Sequence, residues 1–251
     1  MIIDPVLLQI GPITLYWYGF MYSLSLGISG LILYRPVRLA FNWSGDTYIT
    51  LLLSIMIGII SGGRIGYISL YGWDYYSAHW LAILSLTQGG MSYHGGLVGA
   101  GIATAYVSYK QRVSVLALTD YLVFGACIGL FFGRIGNFIN GELYGHVTSM
   151  PWGVRIPGAG DSLRHPVQLY ASVVEGGCVG ALLLSCRRYL TRPGQCTALY
   201  LIAASVARFG IEYFRVPDAG LIFNSLTRGQ GLSLVLFISG IVLLYKTSRT
   251  A

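Results

Sequence analysis

The sequence predicts an all-α, polytopic integral membrane protein with about seven transmembrane helices. Three observations lead there. Of 251 residues, 55% are hydrophobic and only 10% are charged, whereas a soluble domain carries about 25% charged residues. The mean hydropathy is +0.65, and apolar runs of about 20 residues, the length that crosses a hydrocarbon core, recur along the chain. Basic residues fall in short loops on alternate sides of these runs, as membrane topology requires.

Windows of that length place spans at approximately Thr14–Tyr34, Tyr48–Leu70, Gly95–Tyr109, Ser114–Gly133, Pro166–Ser185, Cys196–Phe214 and Gly231–Tyr245. The third is short. Residues Tyr75–Leu86 are expected to form an extra helix lying in the interface. No Lys or Arg precedes Arg35. The start therefore lacks the positive region of a cleaved signal peptide, and the first apolar segment is expected to remain as a span.

One set of alternate loops holds Arg35, Arg38, Lys110, Arg112, Arg187, Arg188, Arg192, Lys246 and Arg249 against a single acid, Asp46. The positive-inside rule makes that side cytoplasmic, with the amino terminus outside and the carboxyl terminus inside. The net charge of +7 is then explained by topology and anionic lipid, and nucleic acid is not an expected partner. Cys127, Cys178, Cys186 and Cys196 show neither metal spacing nor a CxxC pair. They read as small residues of membrane helices, and apolar surroundings disfavour the thiolate. No metal and no cofactor is expected. No internal repeat is visible. The chain reads as one transmembrane domain, 1–251, whose longest outer connection, 134–165, carries its richest motif.

Seven arginines remain: Arg64, Arg134, Arg155, Arg164, Arg208, Arg215 and Arg228. All fall outside or in the outer half of a span, against the positive-inside tendency, so they need another role. Arg134 opens the largest polar group, with Asn137, Asn140 and Glu142 inside Gly133–Gly145. Polar groups at membrane depth are costly without a function. Arginine's planar fork suits a phosphate, and glycines allow turns and close backbone approach. A lipid phosphate site is one reading; an Arg134–Glu142 pair that pins a loop is the other.

Arg208, Glu212 and Arg215 share a helix face through their offsets of four and seven. They read as an anion site, as a structural triad, or as both. His94, in Gly90–Gly96, has a side chain suited to proton transfer near neutral pH; a hydrogen-bonded structural role is the alternative. Arg164-His165-Pro166 opens the fifth span, with Pro166 well placed at a helix start and His165 read as an interfacial cap. Asp120 and Glu175 are intramembrane acids, hence functional suspects. Arg64, between Gly62-Gly63 and Gly66, is a weaker phosphate candidate whose glycines also suit close helix packing.

Together these residues resemble the prolipoprotein diacylglyceryl transferase family. The stretch Gly133–Gly145 looks like its signature. Trp17-Tyr18-Gly19, Gly62–Tyr67, Gly90–Gly96, Arg164-His165-Pro166 and Glu212–Asp218 match in the right order. The resemblance implies a bacterial inner-membrane enzyme, multi-pass, with its active site toward the outer leaflet. It implies transfer of the diacylglyceryl group of phosphatidylglycerol to the lipobox cysteine thiol of a lipoprotein precursor, with a thioether formed and glycerol 1-phosphate released. Its partners would be phosphatidylglycerol, the precursor's signal peptide and the bilayer. The family's phosphatidylglycerol-binding arginine falls on Arg134, and other important positions fall on Tyr18, His94, Asn137, Glu142, Gly145, Arg208 and Glu212. The pattern departs at Val167 and Ala171 and at Arg228, where relatives often carry Met. The catalytic set is read as His94, Arg134, Arg208 and Glu212. Substrate binding is assigned to Arg134, Tyr18, Asn137, Asn140, Glu142 and Gly145. His94 is the first choice for the thiol's base, with Glu142 and Glu212 as rivals. An anionic-lipid transporter or flippase is the alternative from another class.

Overall fold

A computed structural model describes residues 4–11, 13–84, 90–217 and 226–249. The protein is dominated by helices: α1 (Trp17–Phe41), α2 (Gly45–Tyr67), α3 (Trp73–Ala78), α4 (Tyr93–Gln111), α5 (Val115–Ile139), α6 (Val167–Ala171), α7 (Val179–Cys186), α8 (Gln195–Glu212) and α9 (Arg228–Arg249). A π turn, Ser172–Cys178, joins α6 to α7, so that Val167–Tyr189 is one continuous helix. Five helices are long and apolar enough to cross a membrane: α1, α2, α5, Val167–Tyr189 and α9. Helices α4 and α8 form at the other two expected places, but they are not among those five.

Hydroxyl caps set several helix starts. Ser44 Oγ accepts from Thr47 N at 3.1 Å, Ser92 Oγ from Gly95 N at 3.2 Å, and Ser114 Oγ from Ala117 N at 3.3 Å. Each satisfies a backbone donor that an α-helix leaves without a partner. The first span departs from expectation. Residues Val6–Ile10 (β1) and Ile13–Tyr16 (β2) form an antiparallel hairpin, so the helix starts at Trp17, not Thr14. Gly11 takes a positive φ of 57° at the turn. The flanking apolar and β-branched residues then favour pairing over a helix.

The chain divides into two compact units. The first comprises 1–33 and 120–251; the second is 34–119. In the second, α2 and α4 meet through glycines. A Cβ on Gly99 would overlap the Gly58 carbonyl, and one on Gly95 would overlap that of Gly62. Such small-residue contacts let membrane helices approach closely. The interfacial segment is broken up, with α3 followed by a 3-10 turn at Trp80–Leu84. Trp73 and Trp80 stay largely exposed, as interfacial aromatics do. Leu86 lies outside the described residues.

In the first unit, Val123, Cys127, Val179, Leu183 and Cys196 form a buried cluster joining α5, α7 and α8. Two of the cysteines are thus core residues. One end of this unit is locked by polar contacts. Asp120 accepts from Gly194 N, Thr197 N and Thr197 Oγ1, each at 2.7 Å. It therefore caps the start of α8, which accounts for one of the two intramembrane acids. Arg192 donates to the Thr247 and Ser248 carbonyls at the end of α9.

Candidate functional site

The opposite end of the first unit holds the predicted phosphate group. Helix α5 continues to Ile139, so Arg134 and Asn137 are helical and the connection expected on the outer side begins at Asn140, not Arg134. The glycines divide accordingly. Gly133 and Gly136 are helix positions facing Tyr22 and Tyr18 of α1. Gly141, with φ of +70°, makes the turn that ends the helix. The sequence predicts turns and close backbone approach for these glycines; the helix continues to Ile139 and so turns two of them into packing positions.

Arg134 does not pair with Glu142. Its Nη2 lies 3.2 Å from Oε2 of Glu175. The other oxygen of Glu175 lies 3.6 Å from Arg208 Nη1. Arg208 Nη2 lies 3.0 Å from Glu212 Oε2, and Arg215 Nη1 lies 3.7 Å from that same oxygen. Three guanidiniums and two carboxylates alternate in one chain, with positive charge in excess by one. The Glu175 and Glu212 side chains are only 3% and 4% exposed, against 16% and 22% for Arg134 and Arg208. The carboxylates thus lie behind the two arginines. Arg134 Nε is buried with no hydrogen-bond acceptor among the described residues. A buried donor without a partner carries a desolvation cost of about 1–3 kcal/mol, which an incoming anion would relieve if it reached that donor.

The π turn explains how Glu175 reaches both arginines. Such turns insert a residue into the helical ladder and often mark functional sites. Ser172 Oγ donates to Phe131 O at 2.7 Å. A Cβ on Gly176 would lie 2.7 Å from Phe131 N. The turn is therefore pressed against α5, one helical turn before Arg134. Sequence reasoning flagged Glu175 as an intramembrane acid but assigned it no partner. Its place inside a span, with no cation close to it in sequence, was the signal available.

Glu142 is held elsewhere. Asn137 Nδ2 donates to its Oε2 and Asn140 Nδ2 to its Oε1, both at 3.1 Å. Gln168 Nε2 donates to its backbone carbonyl. The Tyr18 hydroxyl donates to that of Tyr22 at 3.2 Å, with Asn137 and Glu142 close enough to act on it electrostatically. Tyr18, Asn137, Asn140 and Glu142 therefore form one polar clasp, continuous with Arg134 through α5. Gly145 supplies no side chain. A Cβ there would lie 2.5 Å from His165 O and 2.8 Å from Phe214 O. Around it, His146 N donates to Phe214 O and Val216 N to Tyr144 O. Its place is a backbone crossing that ties the outer segment to the end of α8.

Other candidates resolve differently. Arg64 donates to the carbonyls of Ile83, Gly90 and Ala82 and lies over the Tyr76 ring. It organises the second unit's own backbone. Arg164 donates to Ala159 O and Gly145 O and lies over Tyr144. His165 pairs with the Tyr170 hydroxyl at 3.2 Å. His94 is in the first turn of α4, after the Ser92 cap; its side chain lies outside the described residues, as does Asp218.

Fold and site together define a helical membrane protein whose first unit carries alternating guanidiniums and carboxylates at one end. Comparison with known proteins narrows the class. A family model described as prolipoprotein diacylglyceryl transferase matches residues 5–246. The chain belongs to that family. It is 39% identical over 250 residues to the phosphatidylglycerol–prolipoprotein diacylglyceryl transferase of Geobacter sulfurreducens, covering 98% of this chain and 96% of the relative. It is 42% identical over 252 residues to the protein of that name from Methylocella silvestris, covering 96% and 93%. The expected family resemblance is thereby established.

Proposed function

We propose that the protein transfers the diacylglyceryl group of phosphatidylglycerol to the lipobox cysteine thiol of lipoprotein precursors. The sulfur attacks the glycerol carbon that bears the phosphate. A C–S bond forms, the C–O bond to phosphate breaks, the thiol proton passes to a base, and glycerol 1-phosphate leaves. The observation that carries this reading is the shared grip of Arg134 and Arg208 on Glu175, with Arg134 Nε left without an acceptor among the described residues. Both guanidiniums are preset where the leaving phosphate gains charge. Fixed donors of this kind contribute about 3–4 kcal/mol each to catalysis.

Tyr18, Asn137, Asn140, Glu142 and Gly145 shape the wall beside Arg134. Glu212 orients Arg208. A free thiol has a pKa of about 8.5, so deprotonation needs help. Glu142 is engaged by two amides and Glu212 by two arginines. Their engagement favours His94 as the base. Seven helices would span the bacterial inner membrane, with the amino terminus outside and the site at the outer leaflet, open sideways to lipid and signal peptide. A flippase would need charges lining a path across the membrane. In the first unit the charged chain gathers at one end, while Asp120 and Arg192 at the other end are bound into helix caps.

The test is purified protein in detergent with phosphatidylglycerol and a lipobox peptide. Mass spectrometry should find one diacylglyceryl group on the peptide cysteine and an equal amount of glycerol phosphate. Lipid turnover without peptide modification would reject the transfer.

A further inference from the structure

We infer that Gly229, at the start of α9, is a positioning residue that seats Glu212 and, through it, Arg208. This rests on the functional reading above and adds a wall to the site that none of the matched motifs supplies.

The start of α9 is built with unusual care for a membrane helix. Thr227 N donates to Gln230 Oε1, and Gln230 N donates to Thr227 Oγ1, both at 3.1 Å. This reciprocal arrangement is a capping box, with Thr227 as the cap and Gln230 three residues on. Thr227 and Gln230 are 8% and 4% exposed. The box therefore fixes a buried helix start, and Gly229 is the second residue of the first turn.

Gly229 faces the Glu212 carboxylate directly. A Cβ built on it would lie 2.8 Å from Cδ and 2.8 Å from each oxygen of Glu212. No side chain fits there unless the carboxylate moves. The carboxylate lies at the positive end of α9, a favourable place for an anion. Glu212 is 5% exposed, and its Oε2 serves both Arg208 and Arg215. An added methyl group would push this oxygen off its 3.0 Å contact with Arg208. The obstructing atoms are the far end of a flexible side chain, with no backbone among the nearest. The carboxylate can give way while the fold stands, so the effect should fall on Arg208's aim and leave stability intact.

The experiment compares wild type, Gly229→Ala, Glu212→Asp and the double variant Gly229→Ala/Glu212→Asp in the detergent assay with phosphatidylglycerol and lipobox peptide. Thermal unfolding and a solved structure of Gly229→Ala run beside it. Wild-type transfer tests the functional reading itself. The expected result is a kcat for Gly229→Ala reduced 10-fold or more, which corresponds to about 1.4 kcal/mol or more. The KM for peptide and the unfolding midpoint should stay near wild type. In the Glu212→Asp background, where the carboxylate is one methylene shorter, the same alanine should cost less than about threefold. The structure should show the Glu212–Arg208 contact lengthened beyond salt-bridge range. Equal alanine costs in both backgrounds, or an unmoved Glu212, would overturn the inference. The structural arm decides it even if the Glu212→Asp variants do not turn over. A wild type inactive in the assay would count against the functional reading alone.

Discussion

The tetrapeptide Gly-Arg-Ile-Gly occurs twice, at Gly63–Gly66 and at Gly133–Gly136, and the two arginines meet opposite fates. Arg64 is 4% exposed, and its Nε, Nη1 and Nη2 all donate to backbone carbonyls. Arg134 keeps a buried Nε with no acceptor among the described residues and shares one carboxylate with a second arginine. The same four residues at a helix end thus make a structural clamp in one unit and, in the other, a donor with one N–H still unmatched among the described residues. The surroundings decide: a returning loop rich in carbonyls against a helix bearing Glu175. A buried guanidinium alone is no mark of function; the acceptors it lacks are.

Four substitutions would break or sharpen this contrast. The largest effect is expected from Arg64→Ala, which leaves three carbonyls without their donor. Each buried unpaired group costs about 1–3 kcal/mol, so the yield of folded protein and the unfolding midpoint should both fall sharply. A midpoint close to wild type would remove the clamp role. Arg134→Ala should instead lower kcat/KM about 10²–10³-fold, in line with loss of one preset donor. Its unfolding midpoint should change little. Equal turnover by that variant would refute the phosphate assignment.

Asp120→Ala should cost about 1–3 kcal/mol of stability through the donors it strands, measured by thermal unfolding. At temperatures where the variant stays folded, its turnover should match wild type. A selective loss of turnover would move the intramembrane acid at that end into the mechanism. Asn140→Ala should have the smallest effect, because Asn137 still holds the other Glu142 oxygen. One such hydrogen bond contributes about 1 kcal/mol, so a fall in kcat of about fivefold is expected in steady-state assays.

Much of this architecture was legible in the sequence. Apolar run length located the five helices long and apolar enough to cross a membrane, because desolvating a backbone outside a helix is so costly in lipid; α4 and α8 form at the other two expected places. The spacing of Arg208 and Glu212 foretold their pairing, since one helical face brings them together without tertiary information; Arg215, expected on the same face, lies past the end of α8 and reaches Glu212 from a bridge to Gly145. Asn137, Asn140 and Glu142 also gather as their proximity in sequence implied. What stayed hidden depends on partners distant along the chain. The pair Arg134–Glu175 spans 41 positions, and a local reading offers only Glu142 as an ion-pair alternative. The saturation of Arg64 depends on carbonyls 18 to 26 residues away. The close approach of Gly229 to the Glu212 carboxylate is likewise set by tertiary structure.

The most direct measurement is the thermal stabilisation of the purified protein by short-chain phosphatidylglycerol, for wild type and for Arg134→Ala. Diacylglycerol, which lacks the phosphate, serves as the comparison lipid. A guanidinium grip on the phosphodiester predicts a clear rise in midpoint for wild type with phosphatidylglycerol, little rise with diacylglycerol, and loss of the difference in Arg134→Ala. An undiminished preference for phosphatidylglycerol in the variant would contradict it.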